Sequence, residues 1–562
     1  MKFAPAVVVL SQNSVAVARK IISAIPEAQL YGLAGRTSGV DISFTNFGET
    51  LRELFAGGTP LIGICAAGIL IRTLAPVISD KRLEPPVLAV AEDGSTVVPL
   101  LGGLSGVNDF ARQIAKVLET QAAITTTGDI RFRTALFSPP PGYHLANPDD
   151  GKKFIADLLA GAEVKLVGTA PWLSNSQLPI DANGDLTIQV TEYLANPSAN
   201  CLVYHPQTVA IAITHPSVTL DSVQQLLTEA GLAPPSLAAI FAPLAIATNI
   251  DPIADAFNVP TRFFSTNQLS ANDIALAATG TEGKLIATSS HIAVAIAPAP
   301  INPDTIGQSR GRLAIIGTGP GSSEWMSPEV KAILKVATDL VGYKTYLDLV
   351  GALAEGKQRH ESDNRAEIAR AKMALDLAAT GRYVAIVSSG DPGIYAMAAA
   401  VFEVLDDHHK PEWDSIHIHV APGISAMQAA AATIGAPLGH DFCAISLSDI
   451  LKPWSIITKR ITAAAEADFV IAFYNPVSQE RTWQIAEARN ILLQYRKPDT
   501  PVVLAKNLGR LGQTVKVITL QQLTPDSADM RTVILIGSSQ TRTIQRRDGS
   551  LFVYTPRRYG EC

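Results

Sequence analysis

Short apolar runs that end directly in glycine, proline or serine recur through the C-terminal half of this 562-residue sequence. Longer segments with helical spacing separate them, and strands that alternate with helices favour a largely parallel sheet. The runs are Leu313–Ile316, Val384–Val387, Ile416–Val420, Asp468–Phe473, Pro501–Leu504 and Val533–Ile536. The loops after them contain GTGPG, SSGDPG, APGIS, YNP, AKN and GSS. Because open α/β sheets bind ligands at the carboxyl ends of their strands, the sequence predicts an α/β fold with a composite cleft.

The chain is too long for a single hydrophobic core, so we expect several domains. The proline-rich stretch 297–310, APAPINPDTIGQSR, is predicted to be a linker. Two less distinct domain boundaries are predicted near 138–150 and near 196–205. The predicted domains are therefore 1–138, 139–204, 205–296 and 311–562.

Charge and cysteine content narrow the functional classes. The net charge is −6, and residues 311–562 carry 27 Lys+Arg against 26 Asp+Glu, so neither half has the basic excess of a nucleic-acid-binding protein. Four scattered cysteines show no metal-binding or redox spacing. The most apolar run, Leu61–Leu70, is too short to span a bilayer. We expect a cytoplasmic protein with no metal site, no nucleic-acid partner and no membrane association.

The loop Gly317–Gly321 has some features of a dinucleotide-binding fingerprint. However, its third glycine comes too early, Pro320 removes an amide donor, and the next predicted strand, through Val341–Lys344, does not end in an acidic residue. A nucleotide-binding protein and a plain tight turn remain open as interpretations of this loop.

The loop SSGDPGIYAM, 388–397, has a composition suited to close ligand contact. Gly390 and Gly393 allow a ligand to approach the backbone, and Pro392 stiffens the loop. Asp391 offers a hydrogen-bond acceptor to an amine or a ribose hydroxyl. An ordinary Asp-Pro turn is the alternative.

Three of these loops occur in the same order in the tetrapyrrole methyltransferases: 317–321, 388–397 and 422–431 (PGISAMQAAA). From Leu313 to about Tyr559 the chain resembles, within that family, the precorrin-3B C(17)-methyltransferases. The resemblance implies a fold of two α/β lobes with a cleft between them. Further matching stretches are VGYKTY (341–346), GAPL (435–438), DF (441–442), ISLSDILKPW (445–454), YNP (474–476), DM (529–530) and TPR (555–557).

The resemblance implies S-adenosyl-L-methionine-dependent methylation of precorrin-3B at ring carbon 17, with ring contraction to precorrin-4, in cobalamin (corrin) biosynthesis by a homodimer. Methyl transfer from a sulfonium is a displacement, so the protein mainly aligns the reactants and excludes water. The residues that the resemblance places against this cofactor are Pro320, Ser389, Gly390, Asp391, Ile394, Ser425, Ala426, Tyr474, Asn475, Lys506 and Asn507.

Ring contraction requires proton transfers, and a polycarboxylate substrate requires cationic anchors. The acid or base candidates in the matching segments are His440, Asp441 and Asp449. The candidate anchors are Lys344, Arg365, Lys452, Arg481 and Arg510. Structural hydrogen bonds for the first set and plain solvation for the second remain open as alternatives.

The first domain resembles the cobalt-precorrin-5A lactone hydrolases of the same pathway. The matching segments include GICAAGILIR (63–72), VPLLGG (98–103), Asn108-Asp109 and TTTGD (125–129). The resemblance fades over 139–200 and is faint again over 210–296. Leu104 stands where that family has a histidine, and an apolar side chain cannot activate water or hold a proton. An inactive hydrolase-like front half, an active one in a bifunctional enzyme, and a docking or intermediate-binding module therefore stay open.

Overall fold

The chain folds into two compact units, Met1–Ser309 and Arg310–Cys562. A computed structural model describes residues 4–25, 28–81, 83–265, 269–363, 366–478 and 481–558. Each unit buries its own apolar clusters. Within the described residues, none of the helices combines the length and apolarity that a membrane-spanning helix requires.

The first sheet of the N-terminal unit has seven strands. They are β1 (Ala6–Val9), β2 (Gln29–Leu33), β3 (Ile42–Phe44), β4 (Leu61–Ile64), β5 (Val87–Val90), β6 (Thr96–Leu101) and β7 (Gln121–Ala122). Their order is β3-β2-β1-β4-β5-β6-β7, with β6 antiparallel to β5 and the strands from β3 to β5 parallel. The sequences of β1, β4 and β5, AVVV, LIGI and VLAV, are apolar and buried throughout, as is typical of parallel strands covered on both faces. The helices that accompany this sheet are α1 (Val15–Ala24), α2 (Phe47–Ala56), α3 (Ala67–Leu74), α4 (Val107–Val117) and α5 (Thr127–Phe132).

Two smaller sheets complete the N-terminal unit. The second contains β8 (Tyr143–Leu145), β9 (Val164–Val167), β10 (Leu186–Val190) and β11 (Cys201–Pro206), with α6 (Gly151–Leu159) and α7 (Pro171–Ser174). The third contains β12 (Val209–Ile213), β13 (Leu237–Pro243), β14 (Thr261–Phe264), β15 (Lys284–Thr288) and β16 (Ile292–Ile296), with α8 (Leu220–Glu229), α9 (Ala247–Phe257) and α10 (Ala271–Thr279). The strand orders are β8-β11-β10-β9 and β14-β13-β12-β16-β15.

The proline-rich stretch 297–310, predicted to be a linker, makes contacts within the N-terminal unit. Gln308 exchanges two backbone hydrogen bonds with β14, and Ile306 packs on the apolar cluster of the third sheet. The buried Arg262 guanidinium donates to the Ile306 carbonyl at 2.8 Å and to Ser309 Oγ at 2.6 Å. These contacts fix the stretch to the third sheet as far as Ser309.

The first lobe of the C-terminal unit is a parallel five-stranded sheet with helices. Its strands are β17 (Arg312–Gly317), β18 (Asp339–Tyr343), β19 (Gln358–Ser362), β20 (Tyr383–Ser388) and β21 (His417–Ala421). Its helices are α11 (Pro328–Val336), α12 (Lys344–Leu349), α13 (Glu367–Ala379) and α14 (Met397–Asp407). The order is β19-β18-β20-β17-β21, and every pair is parallel.

The second lobe holds a mixed sheet and a small accessory sheet. Its strands are β22 (Gly435–Ala436), β23 (Phe442–Ser446), β24 (Val470–Tyr474), β25 (Pro501–Lys506), β26 (Thr514–Thr519), β27 (Thr532–Ile536), β28 (Arg542–Gln545) and β29 (Leu551–Tyr554). Its helices are α15 (Ala426–Ile434), α16 (Trp454–Glu466) and α17 (Gln484–Leu492). The orders are β23-β24-β27-β25-β26 and β22-β29-β28, and in the larger sheet only β23 and β24 are parallel neighbours.

The predicted multi-domain α/β fold is confirmed, and all six predicted apolar runs form strands. The expectation of one largely parallel sheet holds for the first lobe and is wrong for the second. There β27 runs antiparallel to both β24 and β25. A buried apolar strand has the same sequence signature in either direction, so the apolar runs could not show this difference.

Candidate functional site

Three glycine-rich loops meet at the carboxyl edge of the parallel sheet in the C-terminal unit. β17 ends at Gly317, which pairs with Ser388 at the end of β20, and β21 flanks β17 on its other side. Two backbone hydrogen bonds join the first two loops. The Gly390 N–H donates to the Gly319 carbonyl at 2.7 Å, and the Gly319 N–H donates to the Gly390 carbonyl at 3.2 Å. The loops therefore leave the sheet side by side.

The loops approach one another so closely that three positions require glycine. A Cβ on Gly317 would lie 2.4 Å from the Gly390 carbonyl oxygen, and a Cβ on Gly423 would lie 2.2 Å from the same oxygen. Gly390 itself has a φ of +74°, a conformation that L side chains rarely adopt. This edge therefore offers backbone groups and small side chains to a ligand.

The Asp391 carboxylate connects two of the loops. Its Oδ1 accepts from the Gly393 N–H at 2.8 Å within its own loop, and its Oδ2 accepts from the Gly423 N–H at 3.1 Å in the loop after β21. Each carboxylate oxygen can accept a further hydrogen bond. Asp391 thus stabilises the loop arrangement and keeps acceptor capacity for a ligand.

Tyr474, at the end of β24, contacts the start of α15 within the second lobe. Ser425 caps this helix, since its Oγ accepts from the Gln428 N–H at 3.2 Å. The Tyr474 hydroxyl accepts from the Met427 N–H at 3.1 Å, and its ring lies 5.3 Å from the Tyr395 ring. Burial raises the pKa of Tyr474, so its hydroxyl is protonated at neutral pH.

The YNP and AKN loops lie at the same edge of the mixed sheet because β24 and β25 both run antiparallel to β27. Asn475 Nδ2 donates to Ser446 Oγ at 3.1 Å, and Lys506 Nζ lies 2.8 Å from Asp529 Oδ2. Asn475 and Asn507 both have left-handed backbones, with φ of +50° and +51°. The GSS loop follows β27 and lies at the opposite edge, so the prediction that it joins the same cleft is wrong.

Arg510 joins the loop after β25 to the first lobe. Its Nε donates to the Pro320 carbonyl at 2.7 Å, and its Nη2 donates to Ser389 Oγ at 2.7 Å. Its Cγ packs against Gly321, where a Cβ would lie 2.3 Å away. Burial lowers the pKa of Arg510, yet a guanidinium stays charged in proteins. One half-buried cation therefore holds both loops that carry the predicted cofactor residues Pro320 and Ser389.

Sequence comparisons place this arrangement in a known family. Residues 312–524 match the tetrapyrrole (corrin/porphyrin) methylases, and residues 49–129 match the family described as cobalamin synthesis G N-terminal. Over 249 residues the chain is 48% identical to precorrin-3B C(17)-methyltransferase of a Sinorhizobium species, a match that covers 44% of this chain and 97% of that protein. The chain belongs to the tetrapyrrole methylases.

Another relative of this methylase is itself a longer protein. It is the cobalamin biosynthesis protein CobIJ of Mycobacterium tuberculosis (strain ATCC 25618 / H37Rv), 48% identical over 258 residues, which are 45% of this chain and 49% of that protein. The chain thus spans about half the length of that relative. The chain also matches the crystal structure of the methyltransferase CobJ, with 47% sequence identity and a TM-score of 0.41. The match covers 44% of this chain and 100% of the CobJ chain.

The residues predicted to bind the cofactor lie in the loops of the methylase unit described above. A buried polar atom at the same edge points to a ligand there. Ser388 is 2% exposed, and its Oγ has no hydrogen-bond partner among the described residues. Glycine backbones, hydroxyls and the Asp391 carboxylate suit a ligand that carries amine and hydroxyl donors, as S-adenosylmethionine does. No group of three or more potential metal ligands occurs in the described part of the chain.

The predicted substrate anchors have different surroundings in the methylase unit. Lys344 Nζ lies 3.5 Å from Glu361 at the surface, whereas Lys452 Nζ lies 5.8 Å from the centre of the Tyr395 ring. Burial, together with the nearby Arg460, lowers the pKa of Lys452. Arg365 lies outside the described residues.

Arg481 is the most buried of the described anchor candidates. It is 7% exposed, and its Nη1 donates to the Asn475 carbonyl at 3.1 Å. Its Nη2 contacts Met530 Sδ at 3.6 Å. Arg481 and Arg510 therefore hold loops of the site, whereas Lys344 and Lys452 have their ammonium groups nearer the surface.

The three predicted acid or base residues do not lie together. Asp449 follows β23 and is near its carboxyl end, where Ser446 pairs with Tyr474. His440 and Asp441 precede the same strand, about 13 Å away along its length at 3.3 Å per residue. His440 Nδ1 accepts from the Asp441 N–H at 2.8 Å. Only Asp449 is at the edge that carries the methylase loops.

Two residues near this edge were not predicted from the sequence. Tyr395 has a φ of +53°, and its hydroxyl donates to the Ala444 carbonyl at 2.9 Å, which links the SSGDPG loop to β23. Gln484 is 2% exposed, and its Nε2 donates to Asp449 Oδ2 at 3.1 Å. The position of Tyr395, an aromatic residue directly after a glycine-rich loop, could have identified it as a site residue. No sequence pattern could have identified Gln484, because its partner Asp449 is 35 residues away in sequence.

In the N-terminal unit, Leu104 lies at the amino edge of β5. Leu101, the last residue of β6, pairs with Val87, the first residue of β5. Ser105 Oγ donates to the Glu84 carbonyl at 2.7 Å in the segment that leads into β5. Leu104 is therefore on the opposite edge of the sheet from the carboxyl ends of β1, β4 and β5.

Other residues of the matching segments form polar contacts with α4, the helix that follows the Leu104 loop. Asn108 Nδ2 donates to Thr126 Oγ1 at 3.2 Å. Arg112 Nη2 lies 2.7 Å from the buried Asp129 Oδ2. A polar cluster thus remains in the loop region even though Leu104 is apolar.

Proposed function

We propose that the C-terminal unit transfers a methyl group from S-adenosylmethionine to carbon 17 of precorrin-3B, with ring contraction to precorrin-4, in cobalamin biosynthesis. The observation that carries the proposal is the 48% identity to a precorrin-3B C(17)-methyltransferase over 97% of that protein's length. The close-packed loops at the carboxyl edge support the proposal. A displacement reaction requires that the protein align the two reactants and exclude water, and it does not require a nucleophile from the protein.

Bound S-adenosylmethionine would supply a methyl group activated as a sulfonium. Backbone groups of Pro320 and Gly390 in the first lobe, and of Ala426 at the start of α15, would hold this cofactor. Asp391 would accept from its amine or ribose hydroxyls, and Tyr474 would close the site from the second lobe. The remaining contacts are assigned to Ser389, Ile394, Ser425, Asn475, Lys506 and Asn507.

Asp449 is the residue we assign to proton transfer during ring contraction. It lies at the loop-bearing edge, and the Gln484 amide holds its Oδ2. A carboxylate fixed in this way can accept a proton at a defined position. His440 and Asp441, at the other end of β23, are assigned a structural role in the turn before that strand.

Lys344 and Lys452 are the cations we assign to the carboxylate side chains of the substrate. Arg481 and Arg510 already donate to carbonyls and a hydroxyl of the site, so we assign them to loop positioning. A cytoplasmic location and a homodimer formed through the methylase unit remain predictions.

The proposed activity is tested with the full chain, S-adenosylmethionine and two substrates, metal-free precorrin-3B and its cobalt-bearing counterpart. We expect methylation of one of them and calorimetric binding of one S-adenosylmethionine per chain, without binding of NAD. If neither substrate is methylated and no heat accompanies cofactor addition, the proposal fails. The substrate that is turned over identifies the metal state.

For the front half we propose an intermediate-binding module without lactonase activity. Its support is Leu104 in place of a histidine, because a lost acid or base group typically costs about 10²–10⁴ in rate. Incubation with cobalt-precorrin-5A should release no acetaldehyde, and Leu104→His should restore release. Release by the unaltered chain at the rate of an intact hydrolase would instead establish a bifunctional enzyme.

A further inference from the structure

The first sheet of the N-terminal unit has a point at which the strand order reverses. The chain moves from β1 outward to β2 and β3 on one side, then returns to place β4 and β5 on the other side of β1. All five strands are parallel, so β1, β4 and β5 present their carboxyl ends at one edge. In open α/β sheets this reversal opens a crevice between the loops, and ligands bind there.

A cleft of about 370 Å³ lies at this position. Residues that directly follow the three strands line it, among them Leu10 after β1, Cys65 and Ala66 after β4, and Ala91 after β5. The volume is at the small end of the range for small-molecule sites, about 300–1,000 Å³. A tetrapyrrole with its side chains is therefore too large for this cleft.

One corner of the cleft is polar. Ser11 Oγ donates to Glu92 Oε1 at 2.7 Å, and the Ser11 and Ser14 hydroxyls lie 3.2 Å apart. A carboxylate can accept about four hydrogen bonds, and Ser11 occupies one of these positions on Glu92. A vicinal diol is a matching ligand group, because its two adjacent hydroxyls can both donate to one carboxylate.

The charge of the lining restricts the ligand further. The residues that line the cleft, all in the described part of the chain, include no lysine, arginine or histidine. A phosphate would face the Glu92 carboxylate without a counter-ion, which is unfavourable. The apolar walls formed by Leu10, Ile64 and Ala91 suit a flat ring system.

We propose that this cleft binds a ribonucleoside without a phosphate group, with its ribose hydroxyls on Glu92 and its base against the apolar walls. The Leu104 loop is at the opposite edge of the same sheet, so this site is separate from that loop. Ile64, Cys65 and Ala66, which line the cleft, belong to segment 63–72, which resembles the lactone hydrolases. It is also independent of methyl transfer, since it belongs to the other unit.

Cys65 provides a local reporter, because its thiol lines the cleft. Burial raises its pKa to about 11, so alkylation in mildly alkaline buffer is slow enough to follow by peptide mass spectrometry. Adenosine or uridine added to the full chain should slow alkylation of Cys65. Alkylation of Cys201 should proceed unchanged in the same sample, as an internal control.

Two variants and two further probes test the assigned contacts. Glu92→Gln should raise the nucleoside concentration needed for half-protection about tenfold to hundredfold, as the loss of a charge-assisted hydrogen bond requires. Asp93→Asn is the matched control, since Asp93 is adjacent and its carboxylate accepts from the Ser95 N–H and from the Ser95 side chain within its own turn, and it should leave protection unchanged. Adenosine 5′-monophosphate and 2′,3′-dideoxyadenosine should each protect at least about tenfold less well than adenosine.

The proposal is overturned if neither nucleoside protects Cys65, if the monophosphate protects as well as adenosine, or if Glu92→Gln behaves as the control. Methylation by the same preparations is measured in parallel. Activity with no protection would reject the nucleoside site alone, and protection with no activity would reject the methylation proposal alone.

Discussion

Each unit contains a sheet with a run of five parallel strands, and the two units use the carboxyl edge of those strands in different ways. In the C-terminal unit, Gly317, Gly390 and Gly423 bring three loops into backbone contact, and little space is left between them. In the N-terminal unit the loops after β1, β4 and β5 stay apart and leave a cleft of about 370 Å³ with a carboxylate in one corner. The same edge can therefore present backbone groups to one ligand and side chains to another. The difference follows from which loops contain glycine at the points of closest approach.

The largest effect is expected when a methyl group is added at Gly423, where the loops of the C-terminal unit are in contact. In Gly423→Ala the new Cβ would lie 2.2 Å from the Gly390 carbonyl oxygen and 2.5 Å from that of Gly317. Overpacking costs about 1–3 kcal/mol, and a displacement of about 1 Å at a reacting centre can reduce the rate about 10²-fold. We expect the methylation rate to fall by about 10²-fold or more. Gly103→Ala, with no atom within 4 Å of its Cβ, should change neither stability nor activity, and equal behaviour of the two variants would refute the account.

The next effect concerns proton transfer at the loop-bearing edge. Asp449→Asn keeps the shape of the side chain and should slow ring contraction by about 10²–10⁴, the usual value for a general acid or base. His440→Ala, at the other end of β23, should have little effect. Product analysis that separates methylation from contraction distinguishes the steps. If ring contraction slows more in His440→Ala than in Asp449→Asn, the proton-transfer group lies at the amino end of β23, and the assignment to Asp449 is wrong.

A smaller effect is expected for the Asp391 carboxylate. Asp391→Ala removes hydrogen bonds to the Gly393 and Gly423 amides as well as the acceptor proposed for the cofactor. A charge-assisted hydrogen bond contributes about 1.5–3 kcal/mol, or about tenfold to hundredfold in affinity. Calorimetry with S-adenosylmethionine measures the loss. Unchanged affinity in a folded variant would show that Asp391 serves only the loops.

The smallest effect should come from separating the units. Because 297–309 is fixed to the third sheet through Arg262, the cut belongs at Arg310 rather than inside the proline-rich stretch. A fragment Arg310–Cys562 should fold and methylate with the kcat/KM of the full chain. An insoluble fragment, alongside a soluble full chain, would show that the methylase unit depends on the N-terminal unit.

The sequence predicted the strands and their loops well, but it predicted side-chain partners poorly. Apolar runs identify β17, β20, β21, β24, β25 and β27, because a buried strand needs continuous apolar residues. The direction of β27 depends on chain connections that composition does not encode, and the GSS loop was therefore misplaced. The sequence did not predict that Arg510 donates to Pro320 and Ser389, which are more than 100 residues away in sequence. Contacts of that range are set by the fold as a whole.

Methylation of one tetrapyrrole ring carbon by the C-terminal unit can be tested directly. The full chain is incubated with precorrin-3B and S-adenosylmethionine that carries a ¹³C-labelled methyl group, and the product is examined by NMR. We predict a single labelled methyl at carbon 17 of a ring-contracted product. A label at another ring carbon, or none while the cofactor binds, would contradict the account.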